Sequence, residues 1–251
     1  MSNFRYEFTD INDGVIAEIF IEPEPGKPDR NYKLNLKNPP SSDVYAFYHL
    51  FKRQEYKPLI ELIQGDNKVK GPFQILDIGG NIGLFSIYFH CFFPDSKFII
   101  IEPFENNFNP MKSNIQQNGF INAELVFGGA WNKEAYLKTV KDFRDEKDWA
   151  TRVVESEEQT EIKGFTIIKL MEKFEHEFID VLKIDVEGAE KYLFADIKEA
   201  SEFLSKTKYI AIEIHDEFDC RREIYNCLKR NHFEFFEKNE VTFGKNKKLV
   251  R

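Results

Sequence analysis

Short apolar runs alternate with helical stretches from residue 72 onward, and this alternation limits the possible folds more than any other feature of the chain. Apolar strands separated by helices are typical of a parallel sheet that is covered on both faces. The predicted strands are residues 74–78, 98–101, 123–127, 180–184 and 209–214, and the predicted helices are 83–92, 105–118, 189–204 and 217–230. Residues 233–236 and 241–243 predict a final antiparallel hairpin. We therefore expect an α/β fold with a mostly parallel sheet.

The first 70 residues have a different pattern. Apolar and polar positions alternate up to about residue 40, which predicts two or three strands joined by a Pro-rich turn at residues 22–28. A helix is predicted over residues 44–64, capped by the Ser and Asp side chains at 41–43 and broken in two at Pro58. We expect an N-terminal β extension and helical segment over residues 1–70 and the main domain over 71–251. The charged stretch 133–163 is either a hairpin or a mobile loop.

Composition excludes some classes of partner. The 35 basic residues are outnumbered by 43 acidic ones, giving a net charge of −8, whereas nucleic-acid binding relies on clustered positive charge. The longest apolar stretch, residues 85–93, is well short of the roughly 20 residues that span a membrane. No signal peptide is visible, and Cys91, Cys220 and Cys227 form no CxxC motif. These features predict a cytoplasmic protein without membrane spans.

A glycine-rich turn follows the first strand of the main domain. Residues 77–83 read DIGGNIG, so a strand ends at Asp77 and a helix begins near Gly83. Glycines in such a turn let the backbone pass close to a bound molecule. The next strand ends at Glu102, about twenty residues later, where an acid can accept hydrogen bonds from both hydroxyls of a ribose. The pattern predicts a nucleoside-containing ligand, although the glycines would also suit a tight turn alone.

The glycine spacing separates two kinds of cofactor. The dinucleotide fingerprint GxGxxG is absent, because Gly79 and Gly83 stand four positions apart with Gly80 between them. Together with Asp77 they form D-x-G-x-x-x-G, which resembles the first motif of Rossmann-like S-adenosylmethionine methyltransferases. An acid beside the loop suits the ammonium group of that cofactor and would repel a diphosphate.

A second block narrows the resemblance to one family. Residues 180–190, DVLKIDVEGAE, closely resemble the D-x-x-K-I-D-V-E-G-A-E signature of the FkbM methyltransferases. Residues 77–83 resemble that family's D-V-G-A-N-x-G, and Glu102-Pro103-Phe104, followed by Asn114 and Asn118, resemble its E-P-x-P helix. The resemblance covers about residues 43–215. Two positions depart from it: Gly80 replaces a common Ala, and residues 169–172 replace a T-L-D segment.

The resemblance implies a Rossmann-like class I methyltransferase fold and a set of cofactor contacts. Asp77 and the backbone of the glycine loop are expected to hold the methionine part of S-adenosylmethionine, and Glu102 its ribose. The third strand ends where such folds contact adenine, so Trp131 is a candidate for stacking on the ring, with ordinary packing as the alternative. The implied cofactor-binding residues are Asp77, Gly79, Asn81, Gly83, Glu102, Pro103, Ala130 and Trp131.

The catalytic candidates follow the next two strands. Asp185 and His215 stand at the carboxyl ends of adjacent strands, the edge where open α/β sheets bind ligands. His215 is the preferred base for an acceptor hydroxyl. The rival is a divalent cation held by Asp185 with Glu187, Glu213 or His215, with oxygen ligands favouring Mg²⁺ or Mn²⁺ and a His allowing a softer metal. For Asp185 a helix cap is a further alternative, and the sequence leaves these alternatives open.

The expected function is therefore O-methylation, by S-adenosylmethionine, of a hydroxyl on a sugar or carbohydrate-like metabolite. Because FkbM members are associated with glycan and secondary-metabolite methylation, the expected acceptor is a nucleotide-activated sugar or glycan of a bacterial surface polysaccharide. Residues 1–70 are expected to form a lid or a homo-oligomer contact. Two other classes remain open: an NAD-dependent oxidoreductase on a related Rossmann fold, and a non-catalytic cofactor-binding subunit.

Overall fold

A seven-stranded sheet forms the centre of the computed structural model, which describes residues 4–21, 30–38, 41–66, 71–120, 122–140, 151–174 and 177–250. Two smaller sheets accompany it, one of three strands and one of four. None of the helices in these ranges combines the length and apolar character needed to cross a membrane.

The N-terminal strands form an antiparallel meander, as predicted. They are β1 (Phe4–Ile11), β2 (Gly14–Ile21) and β3 (Arg30–Lys37), paired in that order. Alternate side chains such as Ala17, Ile19 and Leu34 are fully buried, and they share one apolar cluster with residues of the central sheet. The predicted Pro-rich turn at 22–28 lies outside the described residues.

The following helical segment is interrupted, also as predicted. Helix α1 (Asp43–Phe47) continues into one π-helical turn (Tyr48–Lys52), and α2 (Lys57–Gln64) begins after a break. Pro58 lies in the first turn of α2, where its missing N–H leaves no helical hydrogen bond unmade. The predicted cap is confirmed in part. Ser41 Oγ accepts a hydrogen bond from the Asp43 amide at 3.2 Å, whereas Ser42 makes no capping hydrogen bond through its side chain and Asp43 accepts one from the Lys37 amide at 2.9 Å.

The main domain starts with three strands that alternate with two helices. These are β4 (Gln74–Ile78), α3 (Leu84–Phe92), β5 (Lys97–Glu102), α4 (Glu105–Gln117) and β6 (Ala123–Phe127). The charged stretch comes next and includes a hairpin, one of its two predicted forms, in which β8 and β9 pair antiparallel. The four strands of the smaller sheet are β7 (Gly129–Ala130), β8 (Ala135–Val140), β9 (Arg152–Ser156) and β10 (Ile162–Phe165). Helix α5 (Ile167–Met171) follows them.

The second half of the central sheet completes the fold. Its elements are β11 (Ile179–Ile184), α6 (Glu190–Leu193), α7 (Ile197–Leu204), β12 (Thr207–Glu213), α8 (Arg221–Arg230), β13 (Phe233–Lys238) and β14 (Val241–Asn246). The single helix predicted for 189–204 is wrong, because the Asp196 side chain accepts hydrogen bonds from the Lys198 and Glu199 amides and starts a new helix. The predicted helix at 217 begins only at Arg221, after a 3₁₀ turn.

The strand order is β13-β14-β12-β11-β4-β5-β6. Neighbouring strands from β12 to β6 are parallel, and β14 pairs antiparallel with both β12 and β13. This confirms the predicted Rossmann-like sheet with its C-terminal antiparallel hairpin. The chain continues from β4 to β5 on one side of β4, whereas the strand on the other side of β4 is β11, which comes later in the chain. Ligands bind at such a switch point, beyond the carboxyl ends of the strands.

Asn114 of α4 ties the N-terminal sheet to this switch point. Its side chain is fully buried. It accepts a hydrogen bond from the Asn35 amide at 2.8 Å and donates one to the Ile82 carbonyl at 3.0 Å. One amide side chain thus satisfies backbone groups of β3 and of the loop after β4.

Replacing Asn114 by Ala should lower the free energy of unfolding by about 2–4 kcal/mol, because both backbone groups lose their partner. Urea unfolding measures the change. Asn109→Ala is the matched control on the same helix, since Asn109 is exposed and its removal should change stability by less than about 0.5 kcal/mol. Equal stability of the two variants would show that Asn114 does not join the two parts.

Candidate active site

A cleft opens beyond the carboxyl ends of β4, β5 and β11. It contains five of the predicted cofactor residues and two of the predicted metal ligands. Its lining includes Gly79, Asn81, Glu102, Pro103, Ala130, Asp185 and Glu187, and also Thr151, Arg152 and Val153 from the start of β9. Asp77, Gly83, Trp131, Glu213 and His215 lie outside this lining.

Backbone angles and contacts within the protein already require glycine in the loop. Gly79 has a φ of +77°, and a Cβ there would lie 1.8 Å from the carbonyl oxygen of Asp185. Gly83 has a φ of +87°, which favours glycine as the residue before α3. A Cβ on Gly80 would lie 2.4 Å from Ile100 Cγ2, which explains why this chain departs from the family's Ala. The loop therefore packs directly against the end of β11.

Glu102 is a buried carboxylate in the cleft, with only 3% of its surface exposed. It accepts hydrogen bonds from the backbone amides of Asn81 at 2.8 Å and Phe104 at 3.0 Å, one on each oxygen. The Asn107 side chain is a further hydrogen-bond donor to this carboxylate. Burial raises the pKa of Glu102 to about 7, although the two amides oppose the shift.

A buried lysine that the sequence analysis did not single out connects the loop to β11. Lys183 Nζ donates to the Gly79 carbonyl at 2.6 Å and lies 3.3 Å from Asp77 Oδ1 and 3.5 Å from Asp185 Oδ2. Its side chain is 4% exposed. The lone Lys within an apolar strand was the available signal for such a residue. Lys183 therefore fixes the glycine loop and the Asp185 carboxylate relative to each other.

Asp77 is enclosed by this arrangement. It has no exposed surface, and its Oδ2 accepts a hydrogen bond from Ser86 Oγ at 2.7 Å. Burial raises the pKa of Asp77, and Lys183 and Ser86 oppose the shift. Burial by itself would lower the pKa of Lys183, but Asp77 and Asp185 outweigh it and raise that pKa. Asp77 thus supports the loop from beneath the cleft.

A strained turn follows Asp185. Glu187 has a φ of +46° and Gly188 a φ of +92°, and a Cβ on Gly188 would lie 2.2 Å from the ring of Phe218. A positive φ at a non-glycine residue is costly and is found mainly at functional sites. The turn directs the Glu187 carboxylate toward the end of β12.

His215 lies among three carboxylates at that end, next to Asp185 as predicted. Its Nδ1 lies 2.9 Å from Glu190 Oε1, and its Nε2 lies 3.2 Å from Glu187 Oε2 and 3.9 Å from Glu213 Oε1. The side chain is 2% exposed, and Nε2 has no hydrogen-bond partner of suitable geometry among the described residues. One ligand atom each from Asp185, Glu187 and His215 lie within 4.8 Å of one another.

The carboxylates around His215 argue against its predicted role as the base. Burial alone would lower the pKa of His215, but Glu187 and Glu190 outweigh it and raise the pKa to about 12. An imidazole in this state already holds its proton at neutral pH, so it cannot accept one from a hydroxyl.

Trp131 lies behind the wall of the cleft. It is 2% exposed, and its ring lies 4.4 Å from that of Tyr192, with an interplanar angle of 31°. It clusters with Val153 and Ala189, which themselves line the cleft. Trp131 thus packs behind residues that line the cleft, which agrees with the packing alternative and not with stacking on an adenine ring.

The insertion between β6 and β11 contributes lining residues that the sequence analysis missed. Thr151, Arg152 and Val153 reach the cleft from β9, and the Arg152 guanidinium lies 5.8 Å from the centre of the Phe218 ring. No motif marks these positions, because their placement depends on pairing within the four-stranded sheet.

One comparison with known proteins identifies a family. The model of the methyltransferase FkbM domain matches residues 77–237, overlapping the range 43–215 of the resemblance described above. Among curated proteins none matches. Similar solved structures include monomeric WbdD, with a TM-score of 0.48 and 15% identity over 77% of this chain and 41% of that chain. The METTL16 MTase domain has a TM-score of 0.49 and 11% identity over 84% of this chain and 72% of that chain.

A third similar structure is a precorrin-6y C5,15-methyltransferase from Geobacter metallireducens GS-15, with a TM-score of 0.42 and 9% identity over 73% of this chain and 83% of that chain. The chain thus spans less than half of the WbdD chain. At these identities the likeness concerns the fold alone.

Proposed function

Because the chain belongs to the FkbM family of methyltransferases, we propose that it transfers a methyl group from S-adenosylmethionine to a hydroxyl of a sugar or carbohydrate-like metabolite. The observation that carries the proposal is the Glu102 carboxylate, which is buried at the end of β5, lines the cleft and accepts one backbone hydrogen bond on each oxygen. A buried carboxylate of this kind suits the two hydroxyls of a ribose.

The predicted cofactor residues fit this cofactor and divide into a group that lines the cleft and a group that lies behind the lining. Glu102 would accept from the ribose, the backbone of Gly79 and Asn81 would face the methionine part, and Pro103 and Ala130 would face the nucleoside. Asp77, Gly83 and Trp131 act on the cofactor by shaping the loop and the wall. The bound cofactor supplies a methyl group already activated on sulfonium. The protein's remaining task is to place the acceptor oxygen roughly 3–3.5 Å from the methyl carbon.

A divalent cation at Asp185, Glu187 and His215 is the form of acceptor activation that the geometry favours. A cation there would lower the pKa of a hydroxyl bound to it, and the proton would pass to Asp185. Glu190, on Nδ1 of His215, occupies the place of the carboxylate that typically orients a metal-binding histidine. A cation at Nε2 would replace the proton that the imidazole holds in its absence. The carboxylates favour Mg²⁺ or Mn²⁺.

The family resemblance supports a nucleotide-activated sugar or glycan of bacterial surface-polysaccharide biosynthesis as the acceptor. The free, buried state of Cys91, Cys220 and Cys227 supports a cytoplasmic location. The N-terminal sheet is the candidate for a homo-oligomer contact, since Phe8 and Ile11 on its edge strand β1 are exposed. Labelled cofactor offered with a panel of nucleotide-activated sugars would identify the acceptor.

The affinity for S-adenosylhomocysteine should fall about tenfold for each pH unit below 7. The pKa of about 7 means that Glu102 becomes protonated as the pH falls through this value and then loses acceptor capacity. Calorimetry from pH 5 to pH 8 measures the affinity. Glu102→Gln should bind weakly at every pH and show no such dependence, whereas the exposed neighbour Glu105→Gln should behave as the wild type. Binding of NAD in place of S-adenosylhomocysteine would overturn the proposed cofactor.

Mn²⁺ should bind to the isolated protein at one site per chain, measured by calorimetry in the absence of cofactor and acceptor. His215→Ala should abolish binding, and Glu190→Gln should weaken it by about 10–100-fold, because it removes the group that orients His215. Glu223→Gln, on the exposed face of α8, is the matched control. A wild-type protein that binds no Mn²⁺, and methyl transfer indifferent to a chelator, would contradict the metal site.

A further inference from the structure

Arg152 is the one basic residue among the described residues that line the cleft. The same lining contains three acidic residues, Glu102, Asp185 and Glu187. Arg152 is partly exposed, so a molecule that enters the cleft from solvent can reach its side chain. The cofactor and metal contacts proposed above give this residue no role.

Arg152 lies on the side of the cleft where the chain leaves β11. Its guanidinium lies 5.8 Å from the centre of the Phe218 ring, and a Cβ on Gly188 would lie 2.2 Å from the same ring. The neighbouring Val153 shares an apolar cluster with Ala189. The start of β9 therefore packs against the turn that follows β11, beside the candidate metal ligands.

A guanidinium in this position suits an anionic oxygen group. Arginine presents its N–H donors in a planar fork, which pairs with two oxygens of a carboxylate or a phosphate at once. An aromatic ring within about 6 Å attracts a guanidinium but offers no oxygen to its N–H groups. The Phe218 contact therefore holds the Arg152 side chain without itself occupying the fork.

The charge of the cleft gives Arg152 a part in selecting the acceptor. The carboxylates of the lining repel an anionic molecule, because like charges brought together at a binding site cost free energy. The hydroxyl groups of a neutral sugar need no cation. Arg152 offsets the repulsion at one place in the cleft, so it favours an acceptor whose anionic group lies there.

We propose that Arg152 is a specificity-determining residue that pairs with an anionic oxygen group of the acceptor, either a phosphate of an activated sugar or the carboxylate of an acidic sugar. This rests on the proposed function and deepens it, because it separates charged acceptors from neutral glycans. The reacting hydroxyl lies toward Asp185 and Glu187, and the anionic group lies toward Phe218. A phosphate in this place puts methylation before the glycosyl transfer that consumes the activated sugar.

Saturation-transfer NMR titrations of protein loaded with S-adenosylhomocysteine test this role. The probes are UDP-glucose and GDP-mannose for phosphate, glucuronate for carboxylate, and glucose and mannose as neutral sugars. At least one anionic probe should bind the wild type, and Arg152→Gln should weaken its binding by about tenfold or more, because a charge-assisted pair is lost. Arg152→Lys should recover part of the affinity, since it keeps the charge and loses the fork. Arg222→Gln, at an 86% exposed side chain of α8, should leave binding unchanged.

Three outcomes would overturn the role of Arg152: no anionic probe binds the wild type, the anionic probes bind Arg152→Gln as they bind the wild type, or the neutral sugars lose as much affinity in this variant. Calorimetry with S-adenosylhomocysteine separates the two levels of the proposal. Absent binding to the wild type rejects the proposed function, whereas intact binding with any of these outcomes rejects the role of Arg152 alone. Unchanged cofactor affinity in Arg152→Gln excludes misfolding as the cause of lost probe binding, and a tenfold loss would assign Arg152 to the cofactor carboxylate instead.

Discussion

The ammonium group of Lys183, buried between Asp77 and Asp185, is the interaction on which the site depends. A buried charge is tolerated only when it is paired and hydrogen-bonded, and Lys183 meets both conditions through the two carboxylates and the Gly79 carbonyl. The backbone of Asp185, which directly follows β11, leaves no room for a side chain at Gly79. The ion pairs, the glycine turn and the alignment of β4 with β11 therefore require one another.

The two sides of the cleft around Lys183 differ in charge. Toward β5, backbone amides face Glu102, which suits the diol of a ribose. Toward β12, acidic groups outnumber the cations His215 and Lys183, which suits a divalent cation and a polyhydroxylated acceptor. The proposed transfer of a methyl group from cofactor to acceptor thus runs from the β5 side of Lys183 to its β12 side.

Much of the fold could be predicted because its signals are local. Continuous apolar runs marked the parallel strands, the Gly-rich loop marked the switch point, and Pro58 marked a helix break. Tertiary contacts that short patterns do not encode account for what was missed. The Asp196 cap divides a continuous helical pattern into two helices. Arg152 reaches the cleft because β9 pairs within the insertion. Trp131 packs against Tyr192 behind the cleft wall. For His215 the sequence predicted the neighbouring strand end but not the nearly complete burial of the imidazole or its Glu190 partner.

Unfolding and cofactor binding of Lys183→Met test the central role of this residue most directly. The variant leaves Asp77 buried without a cation, so the free energy of unfolding should fall by about 3–5 kcal/mol, and the affinity for S-adenosylhomocysteine should fall with it. Adding Asp77→Asn should recover part of the stability, because the uncompensated charge is removed, and the exposed Lys191→Met should match the wild type. A Lys183→Met protein with wild-type stability and cofactor affinity would contradict the account.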